Sequence, residues 1–147
     1  MIAVPMTWNC SELTEADRQK AISENINMCG VLDAPGAIQT KGSSNFGCGT
    51  TYIYVDRWFD QIRVSYSLYS SEGIMIGRSL NVYWEGWSNG SNYDFGGVNS
   101  DSYSNTVTGA NLPGYQVSES AYMSGTVAIL GRTITCGVWV EDNPGTI

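Results

Sequence analysis

The chain contains no histidine. That removes the commonest general base and the commonest metal ligand, and with them any Ser-His-Asp or Cys-His nucleophile. Charge is scarce too. Asp, Glu, Lys and Arg make up 14% of the residues, against about a quarter in an average domain. Seven basic residues face fourteen acidic ones, for a net charge of -7 and a pI near 4.3. No basic patch exists to meet a phosphate backbone, so nucleic acid is excluded as a partner, and anionic membranes should repel the chain. No apolar run approaches the roughly 20 residues that span a bilayer, so no membrane insertion is expected. No charged segment followed by an apolar one opens the sequence as a signal peptide would. Met1 to Pro5 reads as a start residue on a mature secreted chain. No G-x-S-x-G, H-E-x-x-H, phosphate-binding or dinucleotide-binding pattern occurs.

Gly, Ser, Thr, Asn and Tyr take the place of charge, a surface chemistry common among extracellular β proteins. The four cysteines are Cys10, Cys29, Cys48 and Cys136. None forms a C-x-x-C pair, so two disulfides in an oxidising compartment are expected rather than a zinc site. Thr14 and Asp17 have the spacing of a capping box. Ala16, Ala21, Ile22, Ile26 and Met28 follow at helical intervals, which predicts a helix over about 14–29. Such a helix is about 20 Å long and separates Cys10 from Cys29, whereas bridged Cα atoms must approach within about 7 Å. The preferred pairing is therefore Cys29–Cys48 with Cys10–Cys136. Cys10–Cys48 with Cys29–Cys136 stays open.

The sheet is expected over about 48–141. Residues 50–55 are β-branched and aromatic. From 61 to 68, Ile62, Val64, Tyr66 and Leu68 alternate with Gln61, Arg63, Ser65 and Ser67, the mark of a strand with one wet face. Ser70-Ser71-Glu72-Gly73 turns the chain, and Ile74, Ile76, Leu80, Val82 and Trp84 return at period two, so 61–84 reads as a β-hairpin. Arg78 intrudes on that apolar face, which predicts a bulge or an edge position. Later segments alternate through Val117, Ala121, Met123, Val127 and Ile129, then through Ile134, Cys136, Val138 and Val140. A short strand is expected at 37–41 and an edge strand before Cys10. With no β-α-β alternation, the fold class is all-β: a single-domain antiparallel β-sandwich of about seven strands, one N-terminal α-helix and two disulfides. A closed barrel is the alternative.

Residues 86–103 are rich in Gly, Asn and Ser with aromatics among them. They form either a functional loop or a hidden hairpin at Asn89-Gly90. Rigid aromatics between small polar residues are the chemistry of a paratope. Trp87, Tyr93, Phe95 and Tyr103 are the candidate binding residues, while Trp58 and Phe59 read as core. The carboxylates Glu72, Glu85, Asp94, Asp101 and Glu119 could serve a hydrolase, with Glu85 foremost between Trp84 and Trp87. Asp94, Asn99 and Asp101 offer oxygen atoms to calcium without the spacing of an EF-hand. No catalytic residue, metal site or cofactor is expected. The reading is a secreted, non-catalytic binding or inhibitor protein that contacts a protein or glycan. A small carboxylate-dependent glycan hydrolase and a self-assembling extracellular protein are the alternatives.

Overall fold

The computed structural model describes residues 3–32 and 46–147. The strand expected at 37–41 lies outside the described residues. Eight strands follow in chain order: β1 (Val4–Trp8), β2 (Gly47–Trp58), β3 (Gln61–Ser70), β4 (Met75–Gly86), β5 (Gly90–Gly96), β6 (Ser102–Asn111), β7 (Ser118–Ile129) and β8 (Thr135–Thr146). They make one antiparallel sheet in the order β5-β4-β7-β8-β1-β2-β3-β6. The all-β antiparallel class, the single α-helix among the described residues and the two disulfides are as expected. The sheet, however, coils into a nearly closed barrel of eight strands instead of a sandwich of about seven. The physical reason is β1. This five-residue strand pairs with β2 on one side and, at Thr7 and Trp8, with β8 on the other. It welds what would be two layers into one sheet.

Alternation decides the faces. Ile53, Val55, Ile62, Val64, Tyr66, Leu68, Leu80, Val82, Met123, Val127 and Val140 fill the interior. Between them, Ser, Thr, Asn and Tyr point outward. The hairpin read at 61–84 is β3 and β4, consecutive in the chain but not neighbours in the sheet. Each pairs elsewhere, β3 with β2 and β6, and β4 with β5 and β7. The hairpins that β3 and β4 do form are β2–β3 and β4–β5, and β7–β8 is a third hairpin in the sheet. The β4–β5 turn is the one foreseen at Asn89-Gly90, so the middle of the stretch read as a loop, Gly90–Gly96, is strand β5. The register shift between Met75 and Gly77 is the predicted irregularity beside Arg78.

The helix α1 (Glu15–Ser23) has the predicted capping box. Asp17 N–H donates to Thr14 Oγ1 at 3.1 Å, and Thr14 N–H donates to Asp17 Oδ2 at 3.2 Å. It ends well before residue 28. Ser23, Glu24 and Asn25 favour turns over helix, Asn25 adopts φ 56°, and Ile26 N–H closes on Ala21 O. A 3₁₀ turn (Met28–Gly30) then swings Cys29 back to Cys10, with Cα atoms 5.9 Å apart. The bridges are Cys10–Cys29 and Cys48–Cys136, so both pairings drawn from the sequence are overturned. The continuous helix that kept Cys10 from Cys29 does not exist. Cys48 and Cys136 are placed by β1, which aligns the starts of β2 and β8.

No helix among the described residues is long and apolar enough to cross a membrane.

Candidate binding surfaces

The barrel is closed by side chains where backbone pairing stops. Edge strands β5 and β6 meet across Asp94, which is 7% exposed. Its Oδ1 accepts from Arg78 Nε at 2.9 Å and pairs with Arg78 Nη2 at 2.9 Å. Its Oδ2 accepts from the hydroxyls of Tyr66 at 2.5 Å and Tyr103 at 2.7 Å, and from Asn105 Nδ2 at 3.3 Å. The Arg78 guanidinium lies 4.2 Å from the Tyr103 ring centre, and its Nη1 donates to Gly97 O at 2.6 Å. Burial alone would raise the pKa of Asp94. The donors, Tyr66 and Tyr103 first, outweigh it and hold the carboxyl below its ordinary value. Burial, then the bond to Asp94, pushes both phenols up. Below this network the Trp84 indole plugs the seam. A Cβ on Gly90 of β5 would stand 2.3 Å from its Cζ2, and one on Gly109 of β6 would stand 3.0 Å from its Nε1. Glycine on both edge strands is what lets the indole fit.

The four candidate binding residues separate onto three surfaces. Tyr103 turns inward as a seam residue. Tyr93 and Phe95 stand outward on β5, stacked with centroids 5.0 Å apart, and the Tyr93 and Ser79 hydroxyls hydrogen bond at 2.6 Å. Trp87 occupies the β4–β5 turn, half exposed. Asp94 has both oxygens on internal donors, so its carboxylate is not turned toward Asn99 and Asp101 as part of a cation set. Among the described residues, no group of three or more His, Cys, Asp or Glu is placed to hold a metal ion.

Trp87 belongs to one end of the barrel, called here the lower end, where the β2–β3, β4–β5 and β6–β7 connections meet. Trp58 and Phe59, expected in the core, are on this end as well. Trp58 pairs with Gln61 across a two-residue turn, so Phe59 sits at the tip, 79% exposed and at φ 53°. The turn residues carried no glycine to signal it. Tyr115, 65% exposed, lies in the β6–β7 connection. These three connections are tied together. Leu112 N–H donates to Asp60 O, Trp87 N–H donates to Ser118 O, and Arg57 donates to the carbonyls of Pro113 and Tyr115. Trp58, Phe59, Trp87 and Tyr115 therefore ride on a braced platform.

Under that platform lies Glu119, 1% exposed. Its Oε2 accepts from Ser88 N–H at 3.3 Å, and its Oε1 has no hydrogen-bond partner among the described residues. Burial raises its pKa. The Ser88 and Trp87 N–H groups oppose this, and Glu85 adds to it. Glu85 stands opposite Ser120 on the outer face, so the two carboxylates lie on opposite sides of the sheet and do not flank one cleft.

On the outer face of β4, β7 and β8 runs a second aromatic row. Tyr83 and Tyr122 stack at 4.9 Å, and Tyr122 meets Trp139 at 6.5 Å. Trp139 was legible from alternation, since Val138 and Val140 on either side point inward.

No family model, curated protein or solved structure matches this chain.

Proposed function

We propose that the protein is a secreted, non-catalytic binding module that docks a partner protein on its lower end. The observation that carries this reading is Phe59. A large aromatic in the left-handed region costs about 1 kcal/mol or more, and at 79% exposure its side chain recovers little of that by burial. Strain of this kind, retained at a turn tip beside Trp58, Trp87 and Tyr115, is expected where a rigid aromatic anchor serves recognition. The hydrogen bonds among the three connections hold the anchors in place before binding, which lowers the ordering cost. Two disulfides and the scarcity of charge support an oxidising, extracellular setting.

The test is site-specific photocrosslinking in the medium of the source cells, with a photoreactive phenylalanine at position 59, 87 or 115. Ile74 and Leu130, exposed at the opposite end, are the controls. The same protein should be captured from all three lower-end positions and from neither control. Capture that is equal at both ends, or absent from all three, refutes the docking end.

A further inference from the structure

Strand β1 pairs with β8 only through Thr7↔Gly137 and Trp8↔Cys136. Toward Val4 the two strands splay, and Gly137 contributes no side chain to the gap. The result is an open cleft of about 350 Å³, within the range of small-ligand sites. Pro5, Thr7 and Asn9 line it from one side and Gly137 and Trp139 from the other, with the Asn9 side chain lying over Gly137. Among the described residues, no charged side chain lines it.

Strand order fixes the geometry of Trp139. Tyr122 on β7 stands on one side of it, and the cleft toward β1 lies on the other. Tyr83, Tyr122 and Trp139 therefore form a row of rings whose last member, 54% exposed, borders an empty slot. A flat, ring-shaped group entering the slot would extend that row.

We infer that the cleft binds one ring of a neutral glycan. The C–H face of a pyranose presents partly positive hydrogens to the negative face of an indole, the same quadrupole logic that orders aromatic pairs. Its hydroxyls both donate and accept, and so does the hydroxyl of Thr7 at the wall, while the Asn9 amide, whose Nδ2 donates to Thr135 Oγ1 at 2.7 Å, is held in place beside it. A lining uncharged among the described residues, in a chain of net charge -7, matches a neutral ligand and disfavours uronic or sulfated sugars. Peptide recognition by a sheet normally draws on a free strand edge. Here β1 offers only a short edge, and Pro5 in it has no N–H to donate. From the cleft the outer face continues over Ser124, Thr126, Ser79 and Asn81, all uncharged and polar, so a longer chain can lie across the sheet toward Tyr93. The site is separate from the lower end and does not rest on that reading.

The experiment is calorimetric titration of the oxidised protein with tetra- to hexasaccharides of glucose, mannose, xylose and N-acetylglucosamine. The indole Nε1–H resonance of Trp139, assigned by its absence in Trp139→Phe, is followed in parallel. At least one neutral series should bind and move that resonance. Trp139→Ala should weaken binding about ten-fold or more, the size of losing an aromatic anchor, and Trp139→Phe should retain most of it. The lower-end double variant Phe59→Gly/Trp87→Ala should bind the sugar unchanged. The inference is overturned if no neutral series binds, if Trp139→Ala binds as wild type, or if only anionic saccharides or a proline-rich peptide occupy the cleft. Photocrosslinking at the lower end is decided independently of any of these results.

Discussion

The seam between β5 and β6 and the lower end each bury one carboxylate, and they treat it in opposite ways. Asp94 receives Arg78, Tyr66, Tyr103 and Asn105, so its charge is fully met. Glu119 receives the backbone of a turn, keeps one oxygen unpartnered among the described residues and lies near another carboxylate. The first arrangement favours ionisation and the second resists it. The seam is built for stability because the barrel has no backbone bonds there. The lower end carries Phe59 in a strained conformation and Glu119 in an unfavourable burial, which are costs a purely structural end would shed. Stability given up in this way is what the proposed docking role of the lower end would ask for.

The largest effect should come from breaking the seam. Asp94→Ala leaves Arg78 buried without its partner and should cost about 3–5 kcal/mol in denaturant unfolding. A loss below about 1 kcal/mol would mean that the network closes nothing. The acid limb carries the same information. Because the folded pKa of Asp94 lies below its unfolded value, its contribution is present above the unfolded value near 4 and is lost as pH falls through the folded one. Asp94→Asn should therefore be less stable than wild type at neutral pH, with the gap closing in acid.

Gly90→Ala attacks the seam by volume alone. Its Cβ would overlap the Trp84 ring at 2.3 Å, so a loss of about 1–3 kcal/mol is expected. An unchanged melting temperature would show that the indole does not plug the gap.

The lower end should respond with the opposite sign. Phe59→Gly removes the left-handed strain and should raise stability by up to about 1 kcal/mol, while abolishing capture of the partner. Lower stability in this variant would place Phe59 among the packing residues instead.

Glu119→Gln should give the smallest change, a rise in melting temperature at pH 7. The folded pKa is raised, so the residue's contribution is present below the unfolded value near 4 and is lost as pH climbs through the folded value. The variant's advantage should thus be greatest at high pH and vanish in acid. An advantage that grows in acid would reverse the assignment of Glu119 as the strained carboxylate.

The inward and outward faces of the strands were legible because side-chain alternation is a local property of an extended backbone. The capping box at Thr14 and Asp17 and the turn at Asn89-Gly90 were legible for the same reason, since each is specified within a few residues. Arg78 could be seen as an intruder on an apolar face, but Asp94, its reason for being there, could not be named. The two meet only once β5 is paired to β4, and Tyr66 and Tyr103 arrive from strands that lie at the far end of the sheet order. The candidate binding residues were chosen as one stretch of sequence, and the fold distributed them. Trp87 went to the lower end, Tyr93 and Phe95 to the outer face, and Tyr103 to the seam. Trp58 and Phe59 passed for core because a turn without glycine gives no local sign.

By itself the sequence determined the class of the fold, the polar exterior, the presence of two disulfides and the absence of histidine chemistry. Only the tertiary structure decided which cysteines pair, that a five-residue strand makes one barrel of two layers, and where its unpaired edges are sealed. The division is physical. Period, capping and turn chemistry act over a few residues, whereas strand order, disulfide geometry and the environment of a buried charge depend on which distant segments come to lie side by side.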